Sequence, residues 1–185
     1  MIGMRPLLRS ALYAGFRWEI PARLNMAAQV CDVWAEAEPE RVAIIDLSGE
    51  GPRDVTYGAL RAMADGLAHV LVARGVRRGD RVGVLRNQGG WCAAAHIAIW
   101  KIGAISIPLF KLFKEDALVS RVGDAGAKVV VTDAEGAAML GSMPGVTARI
   151  PESETLPEGD FATVETGAEE PAVLIYTSGT TGSPK

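Results

Sequence analysis

The run Tyr176-Thr177-Ser178-Gly179-Thr180-Thr181-Gly182-Ser183-Pro184-Lys185 holds the densest set of groups suited to one kind of chemistry. A polyphosphate carries several negative charges, so its site needs backbone N–H groups uncrowded by Cβ atoms, hydroxyl donors and at least one cation. Gly179 and Gly182 let the main chain approach such a ligand, Thr177, Ser178, Thr180 and Thr181 offer hydroxyls, and Lys185 brings the charge. The spacing is not that of a Walker A loop, which has four residues between its glycines and a lysine directly after the second. Here two residues separate the glycines, and Ser183-Pro184 precede the lysine. The kinase-type G-x-G-x-x-G loop is absent from this run as well. Composition alone leaves a flexible tail open as the other reading.

Other reactive side chains are sparse. His69 and His96 fall on separate helical patterns with no partnered serine or cysteine, which reads as packing or surface placement rather than catalysis. Cys31 and Cys92 lie in apolar helical segments with no cysteine or histidine at metal-ligand spacing, so they read as reduced core residues and no metal site is expected. Trp91 follows the loop Arg86-Asn87-Gln88-Gly89-Gly90 at the carboxyl end of a strand pattern, where α/β sheets bind ligands. Its size and apolar neighbours read as core.

The elements that must position the glycine-rich run follow from periodicity. Met26, Val30, Val33, Trp34 and Ala37 recur at helical spacing up to Pro39. Val42–Asp46 and Asp54–Tyr57 are short strand patterns around the turn composition Ser48-Gly49-Glu50-Gly51-Pro52, which predicts a hairpin. Thr56 is placed to cap a helix with the stripe Leu60, Met63, Ala64, Leu67 and Leu71, and Gly75 is placed to end it. Strand and helix then alternate: Val82–Leu85, Trp91–Lys101, Ala104–Pro108, Glu115–Asp124, Lys128–Thr132, Ala134–Leu140 and Val146–Ile150. That rhythm predicts an α/β fold, a parallel sheet flanked by helices on both faces. Pro171–Tyr176 reads as one more buried strand leading into the glycine-rich run.

Four stretches result: an amino-terminal extension (1–24), an α/β subdomain (25–150), an acidic connector (151–170), and a strand with its phosphate-binding loop (171–185) opening a further part. The connector holds seven carboxylates and no basic side chain among Pro and Gly, as expected of a solvated segment. In residues 1–18, Arg5, Arg9 and Arg17 interrupt Leu7, Leu8, Leu12 and Phe16, which predicts a short amphipathic segment packed on the domain rather than an export signal. A formal net charge of −3 with scattered basic residues gives no footprint for nucleic acid. No stretch is long and apolar enough to cross a bilayer, and a cytoplasmic protein with reduced thiols is expected.

Taken as a string, Tyr176–Lys185 resembles the YTSGTTGxPK motif of the adenylate-forming superfamily: acyl-CoA synthetases, luciferases, aryl-CoA ligases and peptide-synthetase adenylation domains. Thr56-Tyr57-Gly58-Ala59-Leu60 is similar to the family's TYxEL helix start, Gly75-Val76-Arg77-Arg78-Gly79-Asp80-Arg81-Val82 to its GVxxGDRV turn, and Lys101-Ile102-Gly103-Ala104 to its KxGAI step. These three read as fold-building steps. The segments Phe16–Pro21 and Pro108–Phe113 are most similar to acetyl-CoA and medium-chain fatty acyl-CoA synthetases. The resemblance implies the first subdomain of the large amino-terminal domain of an ATP-dependent, AMP-forming carboxylate–CoA ligase. It implies ATP, Mg2+ and coenzyme A as cofactors and a small-molecule carboxylic acid as substrate. Thr177, Ser178, Gly179, Thr180, Thr181, Gly182 and Lys185 are then the ATP phosphate-binding residues. The family's adenine and magnesium residues, ribose-binding aspartate, hinge and catalytic lysine all follow this loop. No catalytic set is therefore complete within the 185 residues, and the polypeptide alone is expected to be inactive; a non-catalytic α/β binding or interaction protein is the alternative. Acetyl-CoA synthetases carry arginines that grip the coenzyme's 3′-phosphate where Ala138 and Gly141 stand here, so neither acetate specificity nor that mode of coenzyme binding carries over.

Overall fold

The computed structural model describes residues 13–143, 145–146, 148–151 and 154–177. The first helix contains a π turn, Ala28–Asp32, followed by an α-helical turn, Val33–Ala37, together termed α1. Its expected apolar stripe is not the buried one. Val30, Val33 and Trp34 are 44%, 46% and 38% exposed, whereas Ala27, Cys31 and Ala35 are buried. Small side chains at this i, i+4, i+8 spacing let α1 lie close on the helix that follows. That approach decides which face is covered. Trp34 instead stacks on Tyr57 at 6.0 Å, with the Arg41 guanidinium 5.0 Å from its ring.

Strands β1 (Val42–Asp46) and β2 (Arg53–Thr56) form the expected antiparallel hairpin. Helix α2 (Tyr57–Ala73) starts where the Thr56 hydroxyl accepts from the Ala59 N–H at 3.2 Å. It ends before Gly75, whose φ of +85° suits a residue without a side chain. Leu60, Ala64, Leu67 and Leu71 are buried as the spacing predicts.

The central unit is a four-stranded parallel sheet in the order β4-β3-β5-β6. Its strands are β3 (Arg81–Leu85), β4 (Ile105–Leu109), β5 (Val129–Thr132) and β6 (Ala148–Ile150). Helix α3 (Gly90–Lys101) joins β3 to β4, and α4 (Glu115–Ala125) returns over β3 to β5; α5 (Ala134–Leu140) then leads to β6. Because strand side chains alternate between faces, the sheet serves two cores. Val82, Val84, Val129 and Val131 point with Ile150 into a cluster covered by α2 and α3. Ile107, Leu109 and Val130 join Leu118, Val122 and Leu140 in a second cluster under α4 and α5. At Gly83 a Cβ would stand 3.1 Å from Leu109 and 3.2 Å from Val130, so the absent side chain is what admits these neighbours. Both faces are covered, as the alternation of strand and helix requires.

Three further expectations need correction. Within the predicted packed amino-terminal segment, the described residues Tyr13, Phe16 and Trp18 are 73%, 56% and 79% exposed; residues 1–12 lie outside the described residues. The acidic stretch is not merely a solvated connector. Its carboxylates Glu158, Asp160, Glu165 and Glu169 face water, but Leu156 and Phe161 pack on the α2/α3 core. Its backbone is tied to Leu24 (Leu24 N–H to Thr166 O, 2.9 Å) and to α3 (Val164 N–H to Lys101 O, 2.9 Å). Pro171–Tyr176, expected as a buried strand, makes one parallel bridge, Ser106 to Val173, and leaves Leu174 and Ile175 exposed. The described residues supply it with a neighbour on one side only.

Candidate phosphate-binding site

The run leading to the glycine-rich loop lies outside β4 and parallel to it. The Ser106 N–H donates to Ala172 O and the Leu174 N–H to Ser106 O, both at 2.9 Å. This register sets Tyr176 level with Leu109, at the carboxyl edge of the sheet, where α/β folds place ligands. The Tyr176 hydroxyl donates to Asp124 Oδ2 at 2.6 Å, and its ring packs on the α4/α5 core. Burial and the Asp124 carboxylate push its pKa up to about 12. Arg121 lies 4.1 Å from the Phe113 ring centroid and 5.8 Å from that of Tyr176. Thr177 emerges exposed from this anchor. Ser178, Gly179, Thr180, Thr181, Gly182 and Lys185 lie outside the described residues.

The same edge carries a small polar cleft of about 150 Å³, bordered by Asp46, Arg53, Arg86, Gln88 and Asp133. Asp46 organises one side of it. It accepts from the Ser48 hydroxyl (2.6 Å), the Gly90 N–H (2.9 Å) and the Ser48 N–H (2.9 Å), which together hold its carboxyl well below the usual carboxylate range despite burial. This fastens the hairpin to the amino terminus of α3, where a carboxylate is favoured. Across the edge, Lys111 bridges Asp133 and Glu135, each at 2.7 Å. Burial pulls its pKa down, but the two carboxylates outweigh that and raise it. Arg86, buried, donates to Thr132 O at 3.1 Å and covers the half-buried Trp91 ring at 4.7 Å.

The histidines and cysteines are packed groups. His69 Nε2 lies 3.3 Å from Asp160 O, and its ring meets Phe161 edge-on. Burial lowers His96 to about 4. Cys31 is raised to about 11, chiefly by burial, and Cys92 is raised for the same reason, so neither thiol is poised as a nucleophile. Among the described residues no group of three or more His, Cys, Asp or Glu side chains gathers as a metal site, and no helix is long and apolar enough to cross a membrane.

Sequence reasoning missed a buried ion cluster at the far end of α3, away from this edge. Lys101, wholly buried, meets Asp32 at 2.5 Å and Asp65 at 2.9 Å and donates to the Thr163 hydroxyl at 3.1 Å. Thr163 in turn donates to Asp32 at 2.6 Å. The available signal was a charge inside an apolar pattern, Asp65 within the α2 stripe and Lys101 at the end of the apolar helix α3. Such charges are buried only when paired.

Residues 31–185 match the family described as AMP-binding enzyme. The chain belongs to that family. It is 35% identical over 166 residues to the probable non-canonical nonribosomal peptide synthetase CymA of Salinispora arenicola, covering 85% of this chain and 2% of that protein. It is 32% identical to an acetyl-coenzyme A synthetase of Novosphingobium aromaticivorans, covering 92% and 32% respectively. Among solved structures, a Brucella canis acyl-CoA synthetase superposes with a TM-score of 0.74 at 26% identity, over 96% of this chain and 35% of that one. The 185 residues of this AMP-binding family member thus span about a third or less of each of these relatives. The matched stretch contains the end of α1 from Cys31 on, the remaining helices, the sheet and the ion cluster described above, and its carboxyl end contains the YTSGTTGSPK run.

Proposed function

We propose that this chain forms the amino-terminal, phosphate-gripping part of an AMP-forming acyl-CoA synthetase acting on a fatty or other small carboxylic acid in the cytoplasm, where its two buried free thiols would stay reduced. In the first half-reaction a carboxylate oxygen attacks the α-phosphorus of ATP, the α–β anhydride bond breaks, and pyrophosphate leaves with the bonding electrons. In the second, the thiol of coenzyme A attacks the acyl carbonyl, the thiol proton is lost, and AMP departs. The observation that carries the reading is the parallel pairing of 172–174 with β4 together with the Tyr176–Asp124 bond. These set Tyr176 and Thr177, the residues that precede the glycines and lysine in sequence, at the carboxyl edge of the sheet.

In this reading Thr177, Ser178, Gly179, Thr180, Thr181 and Gly182 donate hydroxyl and backbone hydrogen bonds to the β and γ phosphates. Lys185 neutralises charge as pyrophosphate forms, which is electrostatic stabilisation by groups already in place. Mg2+ would arrive with ATP, bound by the phosphate oxygens.

The test uses the full gene product and separates the half-reactions. Gly182→Val puts a branched side chain where the main chain must meet phosphate, so ATP–pyrophosphate exchange should collapse while folding survives. Lys185→Ala should lose roughly ten- to a thousand-fold, the scale of deleting one charge-stabilising donor. Thioester formation from pre-made acyl-adenylate should be little changed. Equal damage to both half-reactions would make the loop a hinge and overturn the assignment. Absence of exchange in the unaltered full gene product would favour the non-catalytic binding or interaction protein.

A further inference from the structure

Ala172 is where the acidic stretch turns into the run that carries the loop, and its carbonyl is held from two directions. The Ser106 backbone N–H reaches it at 2.9 Å from β4, and the Trp100 indole N–H reaches it at 2.9 Å from the end of α3. The indole also donates to the Ser106 hydroxyl at 3.1 Å, and Ser106 is wholly buried. Just upstream, the Asn25 side-chain amide donates to both Trp100 O (2.7 Å) and Val164 O (2.9 Å), tying the same helix end to the incoming strap. A tryptophan whose only donor is shared between the Ser106 hydroxyl and one main-chain carbonyl 72 residues away in sequence does more than fill space.

We propose that Trp100 and Ser106 are positioning residues for the phosphate loop, fixing the register of 172–177 on β4 through the Ala172 carbonyl. This rests on the reading of the loop given above. A single parallel bridge specifies register weakly, and a slip of one residue moves the strand by about 3.3 Å and turns every side chain to the other face. Tyr176 would then leave Asp124, and Thr177 would leave the sheet at the wrong level. The indole contact opposes a one-residue slip because successive carbonyls of an extended strand point to opposite edges, so the slipped neighbour would turn its carbonyl away from the indole. Tyr176, anchored on α4, holds the far end of the same short run.

The experiment has two arms. In the 185-residue chain, Trp100→Phe keeps the ring and removes the donor, and Ser106→Ala removes the hydroxyl. Hydrogen exchange at the Leu174 amide should quicken about three- to tenfold, the scale of one net hydrogen bond, while the Val84 amide in the sheet centre stays as protected as before. In the full gene product, Trp100→Phe should raise the KM for ATP in pyrophosphate exchange several-fold and leave thioester formation from pre-made acyl-adenylate within about twofold. Unchanged Leu174 protection in both variants overturns the clasp. Faster exchange at Leu174 with an unaltered ATP KM overturns its role in placing the loop. If the unaltered full gene product shows no ATP-dependent exchange, the synthetase reading fails and the loop-placing role with it, whereas the clasp itself still stands or falls on the Leu174 amide.

Discussion

Replacing Lys101 with methionine keeps most of the side-chain volume and removes one charge from a group that is otherwise balanced. Lys101 and Arg61 supply two positive charges, Asp32 and Asp65 two negative ones. Lys101 is wholly buried, and the Asp65 side chain is 2% exposed; the Asp32 side chain, at 19%, retains some water and the Thr163 hydroxyl. After Lys101→Met, Asp65 keeps only Arg61 as a cation, at 3.5 Å. Removing one partner of a buried ion pair costs about 3–5 kcal/mol, because the remaining carboxylate stays desolvated without its counter-charge. Domains of this size have total stabilities of about 5–15 kcal/mol and lose about 2–4 °C of Tm per kcal/mol. A fall of about 6–20 °C is therefore expected. Urea unfolding of the 185-residue chain followed by circular dichroism should show a lower midpoint with an unchanged slope. The double variant Lys101→Met/Asp65→Leu removes the stranded charge as well and should recover at least about 2 kcal/mol of the loss, within the range of coupling between contacting residues. A loss below about 1 kcal/mol for Lys101→Met, or no recovery in the double variant, would refute the claim that this ion cluster is a structural centre.

Burial holds His96 near 4, below the ordinary value for histidine, so the unfolded chain takes up the proton first. Its contribution to stability is complete above about pH 6.5 and is lost as pH falls towards 4. His96→Phe should flatten the urea midpoint across that window, and an unaltered pH slope would contradict the burial argument. Gly136→Ala should destabilise by about 1–3 kcal/mol in the same unfolding assay even though alanine is the better helix former. Its Cβ would fall 2.2 Å from the Thr132 hydroxyl and 2.9 Å from Leu85 O, the pair that hydrogen-bonds β5 to β3. The 185-residue polypeptide by itself should form no thioester from acetate, butyrate, octanoate or benzoate with ATP and coenzyme A, because the described residues offer no set that could orient carboxylate and α-phosphate together. Product above background from the pure polypeptide would overturn this.

What the sequence determined by itself was local. Thr56 as a cap, Gly75 past the end of α2, the hairpin turn and the strand–helix alternation all depend on residues a few positions apart, and each stands where its spacing predicts. The family likeness of the Tyr176–Lys185 run was equally legible, since glycines, hydroxyls and a lysine in close succession need no distant partner to be recognised. Tertiary structure decided the rest. The buried face of α1 went to Ala27, Cys31 and Ala35 because close approach to α2 outweighed the larger apolar stripe. The acidic stretch became a strap because Thr163, Val164 and Thr166 meet groups on α1, α3 and Leu24 that composition cannot reveal. Lys101 finds Asp32 across 69 residues of chain, and the Trp100 indole finds Ala172 across 72. Periodicity marks which side of an element turns inward; which buried charge or donor it meets there depends on the order in which the parallel sheet stacks its strands.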